Sequence, residues 1–121
     1  MSRLLFLLPI ASVVGGCRYQ HETNARLFHD LKTLAAATKL FYFDNNRWPN
    51  ELAELIEPSV QNKTLLDAIP VDLWGRPYEY SRTRPSICDQ DQAFYVWTYG
   101  SDGKPGGTDD AADIGNWMIR D

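Results

Sequence analysis

The chain has 121 residues, 44% of them apolar and 23% charged, with a formal net charge of −4. That length holds one domain with a core of its own. The acidic balance speaks against a nucleic-acid surface, which needs clustered Lys and Arg. Neither a GxxxxGK[ST] loop nor a GxGxxG fingerprint occurs, and no apolar run reaches the eighteen residues of a membrane-crossing helix.

Residues 1–16 read as an export signal. Arg3 gives the positive start, and Leu4 to Val14 (LLFLLPIASVV) is an apolar stretch too short to span a bilayer. Small residues follow, as a signal peptidase pocket requires. The sequence Val14-Gly15-Gly16-Cys17 resembles the lipobox of bacterial lipoproteins. That resemblance implies a diacylglycerol on the Cys17 sulfur, cleavage just before it and acylation of the new amine. Each buried methylene adds about 0.8 kcal/mol, so two or more chains anchor firmly. Arg18 stands where an aspartate would retain an enteric lipoprotein at the inner membrane, which points to the outer one. Removing residues 1–16 takes Arg3 from the 12 basic residues and none of the 16 acidic ones, which deepens the net charge to −5. Lipidation of Cys17 leaves Cys88 alone, as a buried or tolerated thiol; without lipidation a Cys17–Cys88 disulfide is open.

After a short tether, 17–21, helical spacing runs from 22 to 46. Phe28, Leu31, Leu34 or Ala35, Thr38, and Phe41 or Tyr42 recur at steps of three and four. Thr23 or Asn24 suits the start, and Asn45-Asn46 followed by Pro49 ends the run. Asn50 then caps a second, short helix, Glu51 to Glu57, with Leu52, Leu55 and Ile56 inward. Leu65 to Ala68 suits one further turn. From Val71 onward the pattern is that of a sheet. Trp74-Gly75-Arg76-Pro77 is a turn, Tyr78-Glu79-Tyr80 alternates, and Arg82 to Gln92 is a polar loop. Ala93 to Tyr99 (AFYVWTY) is the strongest strand, with Phe94, Val96 and Thr98 on one face and Tyr95, Trp97 and Tyr99 on the other. A Gly- and Asp-rich loop, 100–113, precedes a last strand, Ile114 to Ile119. A long helix on a small antiparallel sheet is an α+β fold.

Three stretches share the order and spacing of one family: DNNRWP (44–49), DLWGRPYEY (72–80) and YGSDGKPGGTDDAADIGNW (99–117). Together they resemble the soluble domain of the major pseudopilin of type II secretion systems, over about residues 25–119. The resemblance implies a type IV pilin-like fold, with a long N-terminal helix on a small antiparallel sheet. It implies assembly in the periplasm with other pseudopilins or secretion-channel proteins. It also implies a structural calcium ion in the loop before the last strand, held by Asp102 and Asp113 with backbone oxygens of Tyr99 and Ser101. Asp110 is then the third carboxylate, ahead of Asp109. The chemistry is reasonable, because calcium takes six to eight oxygen ligands and crowded carboxylates repel one another without a cation. The EF-hand pattern is missing.

The resemblance stops at the N-terminus. A pseudopilin opens with a basic leader, a glycine, a phenylalanine and a glutamate, then an apolar half-helix of membrane-crossing length. Here polar residues follow Cys17. The expectation is therefore a signal peptide (1–16), a tether (17–21) and a pseudopilin-like domain (22–121, helix 22–46, sheet region 71–121). The lipid on Cys17 holds it to a bilayer at the periplasmic face of the cell envelope, and it meets secretion partners through its sheet. A competing class is a stand-alone calcium-dependent binding lipoprotein that reuses the fold. Nothing reads as catalytic. His21 and His29 are too far apart for a helical zinc pair, the serines lack a GxSxG setting, and Cys88 has no base beside it. Neither an enzyme nor a small-molecule substrate is expected.

Overall fold

The structure is a computed structural model that describes residues 25–58 and 63–119. The leader, Cys17, the tether and the first residues of the expected helix lie outside the described residues.

Helix α1 spans residues 25–45. Leu27, Leu31, Leu34, Ala37 and Phe41 are buried along it at steps of three and four, so one stripe faces the core. Burying one such leucine is worth about 2 kcal/mol, so this stripe fixes the helix more than intrinsic propensity does. The stripe runs through Leu27, and Phe28 is only half-buried. Two polar residues share it. Tyr78 donates its hydroxyl to Asp30 Oδ2 at 2.8 Å, and Thr38 Oγ1 donates to the Leu34 carbonyl at 2.7 Å. At the exit, Asn46 takes a left-handed φ of 56° and its amide donates back to the Tyr42 carbonyl. Trp48 stacks on Tyr42, ring centroids 4.5 Å apart, and lies 5.4 Å from Phe94.

The expected second helix is a 3-10 turn, Leu52–Ile56, capped by Glu51 and not by Asn50. The Glu54 carboxylate accepts from the amides of Asn50 and Glu51 and from Arg47 Nη2 at 2.8 Å. Three residues per turn put Leu52 and Leu55 on the buried side and turn Ile56 outward, 38% exposed, contrary to the sequence expectation. Leu65 to Ala68 form no helical turn. The amides of Leu65 and Leu66 both donate to the Leu55 carbonyl, which lays that segment against the 3-10 turn.

The sheet has three antiparallel strands, β1 (Glu79–Ser81), β2 (Tyr95–Thr98) and β3 (Ile114–Gly115), in that spatial order. Glu79 pairs with Trp97, and Thr98 pairs with Ile114. Strand β2 is buried on both faces. Phe94 and Val96 join the core under α1; Tyr95 and Trp97 pack with Ile87, Cys88, Tyr99 and Trp117. The loop after β1 thus covers the far side of the sheet. Among the described residues Cys88 is a free thiol, 2% exposed.

The last strand is shorter than the expected Ile114 to Ile119. Residues Asn116–Met118 form a 3-10 turn instead. The Asn116 side chain does the work of the missing strand: its Oδ1 accepts from the Val96 amide at 3.1 Å, and its Nδ2 donates to the Phe94 carbonyl at 3.2 Å. A carboxamide offers the same donor and acceptor as a peptide group, so the ladder beside β2 continues without backbone.

Candidate functional site

The acidic loop 100–113 leaves β2 and returns to β3. Its first turn is closed by the Gly103 amide donating to the Gly100 carbonyl at 3.3 Å. Lys104 donates its amide to Asp102 Oδ1, and Gly106 donates its amide to Asp113 Oδ2 at 2.7 Å. A single 3-10 turn, Asp109–Ala111, then leads to Asp113. Gly107 sits at φ 99°, and a Cβ there would lie 2.4 Å from the Ala111 carbonyl oxygen, so only glycine fits.

One expected carboxylate feels the charge of another. Burial pushes the Asp113 carboxyl above its usual range; the Gly106 amide opposes that rise and the nearby charge of Asp102 adds to it. Asp113 Oδ1 is buried with no hydrogen-bond partner. An orphaned carboxylate oxygen within the field of a second carboxylate is a setting that a hard cation satisfies. Of a calcium site, the described residues show this orphaned oxygen and one further carboxylate that acts on it through its charge. The rest of the expected set is less gathered. Asp109 is exposed with a left-handed φ of 55°, and the side chain of Asp110 lies outside the described residues. Among the described residues no three His, Cys, Asp or Glu side chains come together as a metal cluster. The Ser101 carbonyl already accepts from Arg76 Nη2 at 3.0 Å, and the Tyr99 ring stands edge-on to Trp97.

The neighbouring turn, 72–77, supports this loop, and sequence reasoning missed how. Asp72 is 4% exposed. Its Oδ1 accepts the amides of Trp74 and Arg76 at 3.0 and 2.8 Å, and its Oδ2 accepts the Thr98 hydroxyl at 2.7 Å. Thr98 Oγ1 in turn accepts the Gly100 amide at 3.2 Å. A buried carboxylate with three donors ties the turn to the end of β2. Its partner lies 26 residues away, so no local pattern announces it.

Residues 18–117 match the family model for type II secretion system (T2SS), protein G. The chain belongs to the T2SS protein G family. The type II secretion system core protein G of Pseudomonas aeruginosa is 36% identical, with the match covering 73% of this chain and 66% of that protein. The core protein G of Vibrio cholerae is 32% identical, over 76% of this chain and again 66% of the relative. The chain thus spans just under two thirds of the length of these protein G relatives. The crystal structure of the major pseudopilin from the type 2 secretion system of enterohaemorrhagic Escherichia coli superposes with a TM-score of 0.65 at 24% identity, covering 84% of this chain and 92% of that one. The α+β, pilin-like fold expected from the sequence is the fold found, one long helix on a three-stranded antiparallel sheet.

Proposed function

We propose that this protein G family member is a structural or accessory component of type II protein secretion, held to a membrane by an acylated Cys17 and not by an apolar half-helix. The family match over residues 18–117 supports the secretion role, and the lipobox-like sequence Val14-Gly15-Gly16-Cys17 supports the anchor. Its partners are other pseudopilins or secretion-channel proteins, and its place is the periplasmic face of the cell envelope. Among the described residues no helix is long and apolar enough to cross a membrane. Deleting the gene is expected to lower the secreted hydrolase activity of the culture; unchanged secretion overturns the secretion role and leaves the stand-alone binding lipoprotein. Intact mass of the membrane-extracted protein tests the anchor. A chain that starts at Cys17 and carries acyl mass supports it, and a bare chain refutes it.

We further propose that the acidic loop holds a structural calcium ion. Asp102, Asp113 and Asp110 would hold it, with backbone oxygens of Tyr99 and Ser101. The ion supplies positive charge to carboxylates that otherwise repel. The chain's own residues do the rest: the Gly106 amide orients Asp113, and the Lys104 amide orients Asp102. Calcium at a hundredfold excess over its dissociation constant adds about 2.7 kcal/mol to folding, a rise in Tm of more than about 10 °C for a domain of this size. Melting the purified protein in calcium and in chelator reads that rise. No shift in the wild type, or an equal shift in Asp113→Ala, removes the site.

A further inference from the structure

We infer that Arg76 is a positioning residue of the acidic loop, a built-in cation that presets the carbonyls at its entrance and so tightens its hold on calcium. The inference rests on the calcium reading above. Arg76 Nη1 donates to the Gly100 carbonyl at 2.9 Å, and Nη2 donates to the Ser101 carbonyl at 3.0 Å. A planar guanidinium that grips two successive carbonyls fixes their direction as well as their distance. The contact is close: a Cβ on Gly103 would stand 2.8 Å from Arg76 Nε.

The arm is anchored at its base. The Arg76 amide donates to the buried carboxylate of Asp72, and the Asp72 amide donates to the Arg76 carbonyl at 2.9 Å. Asp72 also holds Thr98, and Thr98 holds the Gly100 amide. Gly100 is therefore gripped twice from one turn, at its amide through Asp72 and Thr98 and at its carbonyl through Arg76. Ser101, one of the expected oxygen donors, follows directly.

Two effects of Arg76 on a bound cation oppose each other. Its charge repels a second cation. Its hydrogen bonds order the loop entrance before the ion arrives, which removes part of the ordering cost of binding. The Arg76–Ser101 contact is exposed to solvent, so water and salt screen the repulsion. A carbonyl oxygen has two lone pairs, and the guanidinium takes one of them. Ordering is expected to outweigh repulsion.

Calorimetric titration of the purified protein with calcium tests this, beside Arg76→Gln and Arg76→Lys. Loss of a partner that orients a metal ligand weakens binding by about tenfold or more, and that is the result expected for Arg76→Gln. Arg76→Lys keeps the charge without the fork and is expected to weaken binding as well. Amide exchange in chelator gives a second readout. Loop 100–106 is expected to exchange faster in both variants, while β2 is unchanged. Wild-type binding matched or exceeded by Arg76→Gln overturns the role of Arg76 alone. Absence of calcium binding by the wild type overturns the calcium reading, and the affinity claim for Arg76 with it.

Discussion

The Asp30–Tyr78 contact joins α1 to the start of β1 through one hydrogen bond between buried side chains. Burial pushes the Tyr78 phenol well above its usual range, and the Asp30 carboxylate pushes it further, so the hydroxyl stays a neutral donor. Tyr78→Phe leaves a buried carboxylate without its donor and is expected to cost about 1–3 kcal/mol. Pairing it with Asp30→Asn should return part of that loss, and urea denaturation of the two variants at equal slope measures both. Glu54 gives a pH signature. The hydrogen bond from Arg47 holds its carboxyl below the ordinary 4.5 against the opposing effect of burial. A depressed carboxylate stabilises the fold above its unfolded pKa, and that contribution is lost as pH falls through the folded value. Denaturation midpoints across that acid range should fall less steeply in Glu54→Gln than in the wild type. The pair lies partly in solvent, so its share at neutral pH is at most about 1 kcal/mol. The helix exit was legible, because Asn45, Asn46 and Pro49 are strong stop signals. Asp30 and Asp72 were not, because a carboxylate is buried only where a distant donor meets it.

Among the elements, the periodic ones were legible and the short ones were not. Helix α1 and strand β2 announce themselves by spacing of 3.6 and of two, and the facing of Phe94 and Val96 against Tyr95 and Trp97 follows directly. The 3-10 turns carry too few residues for a period to emerge, so Ile56 was assigned the wrong side. Position on α1 predicts mutational cost. Leu34 is fully buried, and Leu34→Ala is expected to lose about 2–5 kcal/mol. Phe43, two and a half turns further on, is 79% exposed, and Phe43→Ser should stay within about 0.5 kcal/mol. Thermal melts of the two variants side by side check that contrast. In the acidic loop the ligand positions are expected from the resemblance alone, and the charge of Asp102 acts on Asp113. The clasp from Arg76 was not legible, since it joins residues 24 and 25 positions apart.

For the molecule as a whole, the covering of β2 on both faces makes Cys88 a reporter. Its Sγ donates to the Gln90 carbonyl at 3.1 Å beneath the loop, away from solvent. A thiol reagent is expected to label it only as fast as the structure opens, at a rate that rises with denaturant. Rapid labelling in native buffer would mean that the covering loop lifts by itself.

The Asn116 carboxamide has a consequence at the same scale. A sheet edge normally offers a row of unpaired backbone groups that a strand from another chain can copy, the usual seed of edge-to-edge aggregation. On the β3 side that row is two residues long and then passes to a side chain. A side-chain amide supplies one donor and one acceptor and no continuing template. Unwanted growth of the sheet in that direction is blunted by a single asparagine.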